Sequence, residues 1–283
     1  MRAWLADRIA AATDDDSMLG ILQGLAVGET GAMSAAQWRV LAATGTTHLM
    51  AISGLHITMI AALGAWCGGQ IVRWPAAQRR RLTAIHGQVI AGTLAGAIYS
   101  MLAGFSIPTQ RTLAMLCVAF AARAVRREAG VDWIMGMALI AVLVLDPFAP
   151  LAPGAWLSFG AVGVILLATA GRWRRDTALG NFTRTQMAVT VGLLPVIAGA
   201  FGSFSLVSPL ANAIAIPLFT LLIVPLVLAG ALLAAVFLPA GGWVLDLASD
   251  VLNFVWPGLE WLAQWPLALW HLPQLPLPVH AAL

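Results

Sequence analysis

The sequence predicts an all-α protein: a polytopic, integral membrane helical bundle with short interfacial amphipathic helices. Of its 283 residues, 60% are hydrophobic and 10% are charged, and the mean hydropathy is +0.88. A soluble domain carries about 25% charged residues. Uncharged stretches of about 20 residues recur along the chain, and each is long enough to cross a hydrocarbon core about 30 Å thick. We expect about seven spans, one of them broken or kinked.

The composition excludes several classes of protein. All 15 basic residues are arginine and lysine is absent, so the chain has neither a Walker A loop nor a lysine for Schiff-base chemistry. Cys67 and Cys117 lie in separate apolar stretches, an arrangement that suits neither a zinc site nor a disulfide framework. We therefore expect no cofactor, no metal site and no ATP-driven motor within this chain.

The N-terminal part of the chain predicts short helices rather than spans. Two partly amphipathic stretches, 3–12 and 18–27, are too short to cross a bilayer. A third helix begins at a capping box, with Ser34 as N-cap and Gln37 three residues later, and ends at Gly45. We expect these helices to lie on the membrane surface or against other helices.

Six apolar stretches follow, and each is a predicted span: 49–72, 84–102, 108–122, 133–145, 155–170 and 186–204. Arginines cluster after the first, third and fifth of them: Arg73, Arg79, Arg80 and Arg81; Arg123, Arg126 and Arg127; Arg172, Arg174, Arg175 and Arg184. By the positive-inside rule these three loops face the cytoplasm. The loops that contain "GFSIPTQR" and "DPFAPLAPG" then face outward, as does His48.

The stretch 205–239 is too long for one straight span and too short for two spans with a loop. Pro209, Pro217 and Pro225 lack backbone N–H donors and favour kinks. One interpretation is a half-helix followed by a full span, with non-helical backbone against protein or a watery cavity. Kinked packing alone is the other interpretation.

The last part of the chain combines five tryptophans with Asp246, Asp250 and Glu260, and ends in a proline-rich tail. This mixture is typical of helices at a membrane interface rather than of an aromatic platform for bases. The predicted domains are residues 1–47, the pre-membrane short helices on the outer face; residues 48–240, the transmembrane domain; and residues 241–283, the interfacial Trp-rich helices and tail.

Four polar clusters lie in or beside spans on the outer side: His48, Ser53 and His56; Pro108, Thr109, Gln110 and Arg111; Asp146 and Pro147; and Ser205, Ser208 and Asn212. A polar side chain at this depth is costly unless it is satisfied or used, so the clusters suggest one site. Ser53 and His56 share a helix face, and Gly54 leaves room for another backbone. Packing seams and hydrogen bonds between helices are the structural alternative.

Arg111 has three interpretations. An arginine within a span faces protein or water. It either forms a structural pair with Asp146 or faces a cavity in which it meets an anion such as phosphate. Snorkelling of the side chain to the outer interface is the third interpretation.

Four blocks of the sequence resemble successive motifs of the ComEC family, the membrane channels of bacterial DNA uptake in natural competence. The blocks are "LAVGETGAMS" with "HLMAISGLHI", then "FSIPTQRTLAML", then "DPFAPLAPGAWLSFGAVGVILL", and then "SPLANAIAIPLFTLLIVPLVLAG". The resemblance covers about residues 18–240, in order and with the spacing of the family. It implies that residues 48–240 form a competence-type transmembrane domain.

The resemblance implies that single-stranded DNA passes through this domain into the cytoplasm after the other strand is degraded outside. The motif residues carried over by position are His48, Ser53, Gly54, His56, Pro108, Arg111, Asp146, Pro147, Ser158, Phe159, Ser208, Pro209, Asn212 and Pro217. His48, Ser53 and His56 would line the outer mouth and donate hydrogen bonds to phosphates or bases. The first three predicted spans contain no carboxylate, which suits a path for a polyanion.

The implied partners are single-stranded DNA, the lipid bilayer and other competence proteins: an outer DNA receptor, a cytoplasmic helicase or motor, and a separate metallo-β-lactamase-like nuclease. The implied location is the bacterial cytoplasmic membrane, as a multi-pass protein. Family members commonly add an outer OB-like domain before this region and a metallo-β-lactamase-like domain after it, and neither is recognisable among these residues. The five histidines form no His-x-His-x-Asp-His cluster. We expect a truncated or excerpted family core that is not itself an enzyme.

Two functions of other classes fit parts of the sequence. An intramembrane hydrolase would use Ser53 as nucleophile and a histidine as base. His56 lies on the same predicted helix as Ser53, whereas catalytic pairs come more often from different elements. A small-anion or lipid transporter would explain the predicted break in the stretch 205–239.

Overall fold

The computed structural model describes residues 1–50, 53–73, 83–125, 130–169, 177–266 and 268–271. The protein is 82% helical and belongs to the all-α class, as predicted. Its helices are α1 (Arg2–Ala12), α2 (Leu19–Val27), α3 (Ala35–Thr44), α4 (Gly54–Arg73), α5 (Ala84–Leu102), α6 (Ile107–Ala124), α7 (Val131–Leu145), α8 (Pro153–Thr169), α9 (Ala178–Phe201), α10 (Ser208–Leu218), α11 (Val224–Val236) and α12 (Leu238–Ala263). Two 3-10 turns lie at Thr47–Leu49 and Ala149–Leu151, and the strands are β1 (Ser203–Ser205) and β2 (Leu269–His271).

Four helical segments are long and apolar enough to cross a membrane: Thr47–Arg73, Ala84–Leu102, Gly180–Phe201 and Ser208–Val236. Two further apolar helices, Val131–Leu145 and Pro153–Thr169, are shorter. The predicted count of about seven spans is therefore not confirmed. Most of the arginines used to orient the spans lie outside the described residues: Arg79, Arg80, Arg81, Arg126, Arg127, Arg172, Arg174 and Arg175. The proline-rich tail also lies outside them, from residue 272 onward.

Most helix boundaries lie close to the predicted ones, but α4 begins at Gly54 rather than at residue 49, and α9 begins earlier than predicted. The predicted span 84–102 coincides with α5, whereas α9 begins at Ala178 rather than at residue 186. The earlier start has a local cause, because Thr177 caps the helix and its hydroxyl accepts a hydrogen bond of 3.1 Å from the Gly180 N–H.

The proline-containing stretch differs from the predicted half-helix and full span. Residues Ser208–Val236 form one helical segment of 29 residues, in which a π turn at Phe219–Ile223 joins α10 to α11. A proline has no N–H to donate to the carbonyl of the preceding turn, and its ring clashes with that carbonyl. A π turn accommodates the lost hydrogen bond and the clash without ending the helix. Pro217 and Pro225 flank this turn, so the segment is interrupted locally but not divided.

The chain forms two compact units. The first comprises Met1–Met33, His48–Ala149 and Leu218–Asn253, and the second comprises Ser34–Thr47, Pro150–Pro217 and Phe254–Leu283. The predicted domain boundaries at residues 47 and 240 stay a prediction.

In the first unit, α4 and α5 pack against each other through glycines. Gly68 and Gly87 approach so closely that a Cβ on either would overlap the carbonyl oxygen of the other. A Cβ on Gly92 would lie 3.0 Å from the carbonyl oxygen of Ala61 in α4 and 2.6 Å from the ring of Phe120 in α6. Small residues permit this close approach of helix backbones. Because α5 also packs on α6, and α6 on α7, the four consecutive helices alternate in direction.

The N-terminal helices of the first unit lie against other helices, which is one of their two predicted environments. Helix α2 is buried from Gly20 to Val27 and packs against α1 and α11. A Cβ on Gly20 would meet the backbone of Ala32 and Met33 within 2.6 Å, so this helix also requires a small residue at its start.

The linker between α1 and α2 is tied to α12 through Asp15. The carboxylate accepts hydrogen bonds from Ser249 Oγ at 2.5 Å, Asn253 Nδ2 at 2.7 Å and Ser17 Oγ at 2.5 Å. Burial by itself raises the pKa of Asp15, but these hydrogen bonds outweigh it and lower the pKa to about 2. We call this set of four residues the Asp15 clasp.

In the second unit, the predicted capping box of α3 is confirmed. Ser34 Oγ accepts a hydrogen bond from the Gln37 N–H at 3.2 Å, and Gln37 Oε1 accepts one from the Ser34 N–H at 2.8 Å. The helix ends at Gly45, with a φ of 68° that favours glycine. Strand β1 pairs antiparallel with β2, and Phe204 lies opposite Trp270. This pair of strands was not predicted.

Candidate functional site

One end of the first unit gathers polar side chains from consecutive helices. It consists of the start of α4, the end of α5, the start of α6 and the C-cap residue of α7, and we call it the polar end. The alternating direction of α4, α5, α6 and α7 brings these four places together, although they are distant in sequence. Three of the four predicted polar clusters lie here.

The start of α4 carries the first predicted cluster. His48 is exposed, Ser53 and Gly54 are half-buried, and His56 is 1% exposed. A Cβ on Gly54 would lie 2.7 Å from Thr112 Oγ1 in α6. The space that Gly54 leaves is therefore occupied by the side chain of Thr112, and not by another backbone as the sequence suggested.

The imidazole of His56 is buried without a hydrogen bond at Nδ1. No partner for this atom exists in the part of the chain that the structure describes, and Ser53 Oγ faces the backbone N–H of His56 instead, at 3.4 Å. His48 is close enough to interact electrostatically with the His56 ring. Ser53 Oγ thus forms no hydrogen bond with His56 Nδ1 in the described structure.

The start of α6 carries the second cluster. Pro108 occupies the first turn, where a missing N–H costs nothing. Thr109 is fully buried and donates a hydrogen bond of 2.7 Å to the Ser106 carbonyl, and Gln110 is exposed. Arg111 is only 4% exposed, so its side chain lies within the protein. This burial is evidence against the snorkelling interpretation.

Asp146 is the C-cap residue of α7 and lies at the same end. Its Oδ1 accepts a hydrogen bond of 3.0 Å from the Phe148 N–H, which fixes the turn after the helix. Its carboxylate also attracts the guanidinium of Arg111 electrostatically. The two side chains therefore influence each other electrostatically, and the structural pair of Arg111 with Asp146 stays a prediction.

Tyr99 is a buried residue that the sequence reasoning missed. It is the single tyrosine of the chain, it is 5% exposed, and it packs against Ile57 and Ala103. Its hydroxyl has no hydrogen-bond partner among the described residues. A lone polar aromatic residue within an otherwise apolar predicted span is the signal that could have identified it.

The fourth predicted cluster lies in the second unit and has a clear structural role there. Asn212 is 5% exposed, and its Nδ2 donates to Ser208 Oγ at 2.8 Å and to the Gly45 carbonyl at 3.5 Å. Ser205 Oγ donates to the Ala43 carbonyl at 2.7 Å. These bonds join the start of α10 to the end of α3. The prediction that all four clusters form one site stays a prediction.

The roles of the other residues carried over from the family resemblance stay predictions. Pro147 is exposed, and Ser158, Phe159, Pro209 and Pro217 are half-buried. Pro217 lies shortly before the π turn, which gives it a local structural role.

The chemistry available at the polar end is hydrogen bonding and attraction of anions. Imidazole, phenol, hydroxyl and guanidinium groups lie here, and α4, α5 and α6 contain no Asp or Glu. Within the described ranges, no group of three or more His, Cys, Asp or Glu side chains could hold a metal ion. A guanidinium in surroundings poor in carboxylates binds phosphate through charge-assisted hydrogen bonds.

Comparison with known proteins gives consistent results. The family model described as "Competence protein" matches residues 25–283. The chain is 40% identical to Competence protein ComA of Neisseria gonorrhoeae over 94% of its own length and 38% of that protein. It is 30% identical to Recombination protein 2 of Haemophilus influenzae, over 81% of the chain and 30% of that protein. It is 27% identical to ComE operon protein 3 of Bacillus subtilis, over 76% of the chain and 26% of that protein.

The chain thus spans well under half of the length of these curated relatives. No solved structure matches it.

Proposed function

Because the chain belongs to the Competence protein family, we propose that it forms the membrane channel component through which single-stranded DNA crosses the bacterial cytoplasmic membrane during natural transformation. The names of two relatives, Competence protein ComA and ComE operon protein 3, support a role in competence. Four segments that could span a membrane support a multi-pass location. The partners that we propose are the strand itself, an outer DNA receptor, a cytoplasmic helicase or motor, and a separate metallo-β-lactamase-like nuclease.

The observation that carries this proposal is the burial of Arg111 at the start of α6. A polyanion cannot cross hydrocarbon unless the protein offers water, hydrogen-bond donors and positive charge along its path. Arg111 supplies charge, and it lies in the first turns of a helix, whose dipole also favours an anion. The absence of carboxylates from α4, α5 and α6 removes the strongest source of repulsion.

In this proposal the residues of the polar end have different roles. Arg111 meets phosphate groups as they pass, and Asp146 keeps the guanidinium from binding them too tightly. His48, Ser53 and His56 line the outer mouth and form hydrogen bonds with phosphates or bases. Gly54 keeps α4 close to α6, and Pro108 starts α6 at the right place.

The test compares two arginines of one helix in a naturally transformable host that expresses this protein. Arg111 is buried, whereas Arg123 is exposed near the other end of α6 and donates to Gln88 Oε1 at 2.8 Å. Arg111→Ala should lower uptake of labelled DNA about 10-fold or more, since a charge-assisted hydrogen bond contributes roughly 1.5–3 kcal/mol. Arg123→Ala should leave uptake nearly unchanged.

Protein level and membrane insertion are measured for both variants. Normal DNA uptake by a stably expressed Arg111→Ala protein would overturn the proposal. Transport of labelled small anions or lipids, without DNA uptake, would support the transporter that the sequence left open.

We further propose that this chain does not hydrolyse DNA or ATP. Its sequence offers no lysine for a phosphate-binding loop. Metal-dependent nuclease activity of the purified chain, abolished by His271→Ala, would contradict this part of the proposal. A Ser53→Ala control in protease and esterase assays tests the hydrolase alternative.

A further inference from the structure

The hydroxyl of Tyr99 is a buried hydrogen-bond donor that forms no hydrogen bond within the described residues. Tyr99 is 5% exposed, and the structure, over its described ranges, offers its Oη no hydrogen-bond partner. Tyrosine hydroxyls that are buried usually have a partner. A buried donor without one costs about as much as a lost hydrogen bond, so phenylalanine would serve packing at least as well at this position.

The neighbouring buried serine differs in this respect. Ser100 is fully buried, but its Oγ donates to the Gly96 carbonyl at 2.7 Å within the same helix. Two adjacent residues of α5 therefore carry buried hydroxyls, one satisfied by the helix and one not. Substitutions at Tyr99 and Ser100 can therefore be compared to test the role of the unsatisfied hydroxyl.

A second buried polar atom of the same kind lies on the adjacent helix. Ile57 of α4 belongs to the same buried cluster as Tyr99. The residue before it is His56, whose Nδ1 likewise has no partner within the described part of the protein. Both groups can form hydrogen bonds, and both lie on helices that contain no Asp or Glu. An unsatisfied buried polar group needs an explanation, and within a membrane span contact with a transported substrate is one such explanation.

We infer that Tyr99 is a further residue of the DNA path, whose hydroxyl donates a hydrogen bond to an oxygen acceptor of the strand during transport. This inference rests on the proposed function and extends it to a residue outside the predicted site. A neutral donor suits a path for a polyanion because contacts along a conduit must be weak enough for the strand to leave again. Arg111 attracts the phosphates of the strand through its charge, and Tyr99 donates a hydrogen bond to the strand without adding charge.

The experiment compares Tyr99→Phe with Ser100→Ala in the whole protein and in the same transformable host. Tyr99→Phe should lower uptake of labelled DNA about 3- to 10-fold, the loss expected for one neutral hydrogen bond. Its thermal stability should be unchanged or higher, because the variant removes a buried donor and keeps the ring. Ser100→Ala should leave uptake unchanged, since its hydroxyl bonds only to its own helix.

A second measurement keeps the inference testable if Tyr99→Phe folds poorly. In a background with Cys67→Ala and Cys117→Ala, the variant Tyr99→Cys should react with a small, water-soluble thiol reagent, and single-stranded DNA should slow the reaction. Ser100→Cys should not react. An unreactive Tyr99→Cys, or full DNA uptake by Tyr99→Phe, would overturn the inference.

These outcomes separate the inference from the proposed function. If Arg111→Ala lowers uptake and Tyr99→Phe does not, only the role of Tyr99 is wrong. If the protein supports no DNA uptake, or if Arg111→Ala has no effect on it, the proposed function is wrong as well.

Discussion

The backbones of Gly68 in α4 and Gly87 in α5 are in direct contact, and neither position has room for a Cβ. This contact sets the separation of the two helices that carry His56 and Tyr99. Because the obstacle is backbone and not a flexible side chain, the helices must move apart to accept any larger residue.

Gly68→Ala should therefore destabilise the protein by about 1–3 kcal/mol, the usual cost of overpacking. The matched control is Gly163→Ala in α8, where no atom lies within 4 Å of the new Cβ. The control should be neutral or stabilising by up to about 1 kcal/mol, because alanine has the higher helix propensity. Thermal unfolding in detergent measures both, and equal stability of the two variants would contradict the tight contact.

The pairing of Arg111 with Asp146 is tested by a double mutant. If Arg111 contacts the strand during transport, Arg111→Ala should lower DNA uptake without lowering the protein level, since removal of a buried charge relieves a desolvation cost. Adding Asp146→Asn should then change little. If the two residues form a structural pair, Arg111→Ala should lower the protein level, and Asp146→Asn should partly restore it. We expect Arg111→Ala to lower DNA uptake without lowering the protein level.

Asp15 predicts a specific dependence of stability on pH. The pKa of its carboxyl is about 2 in the folded protein, below the ordinary value of 3.8, so the folded state favours the ionised form. The resulting stabilisation is fully present above about pH 4 and is lost as the pH falls toward 2. Because Asp15 is only partly buried, we expect a contribution of about 1 kcal/mol after solvent screening.

The measurement is thermal unfolding of Asp15→Asn across this range, with Asp16→Asn, an exposed neighbour in the same linker, as control. The Asp15 variant should be less stable than wild type at pH 7, and the difference should shrink below pH 4. A difference that is independent of pH would show that the carboxylate charge is not what stabilises the clasp.

The membrane topology is tested by cysteine labelling. Cysteines introduced at Ala77, Arg126 or Arg174, positions outside the described residues, should react only with reagents that reach the cytoplasm. A cysteine at Ala149 should react only with external reagents. Labelling of positions 77 and 149 from the same side would rule out the predicted orientation.

Local signals in the sequence predicted local structure well. The capping box of Ser34 and Gln37 and the terminal Gly45 were predicted because they depend only on residues within one helix. The helices α5 and α6 were predicted because their apolar runs are bounded by clear changes in composition. The start of α9 was placed too late, because the cap formed by Thr177 lies among polar residues that carry no apolar signal.

Features that depend on distant residues were not predicted. The strands β1 and β2 have three residues each and pair across more than sixty positions, so neither has a pattern of its own. The prolines around Phe219–Ile223 indicated a disruption, but only the structure distinguishes a π turn from a break. Tyr99 was missed because its lack of a partner is a property of the packed helices. The burial of Arg111 likewise depends on packing that the sequence does not specify.

The Asp15 clasp has a consequence for the order of events during synthesis. Asp15 and Ser249 are separated by 234 positions, and the nearby bond from Thr13 Oγ1 to Asp246 Oδ1 spans 233. The hairpins of α4 to α7 contact their immediate neighbours and can form as they leave the ribosome, whereas the linker after α1 must wait until Ser249 and Asn253 have been translated. A nascent chain that stops before residue 246 leaves Asp15 without Ser249 and Asn253. The clasp can therefore be completed only after residue 253 has been translated, because Ser249 and Asn253 supply two of its hydrogen bonds.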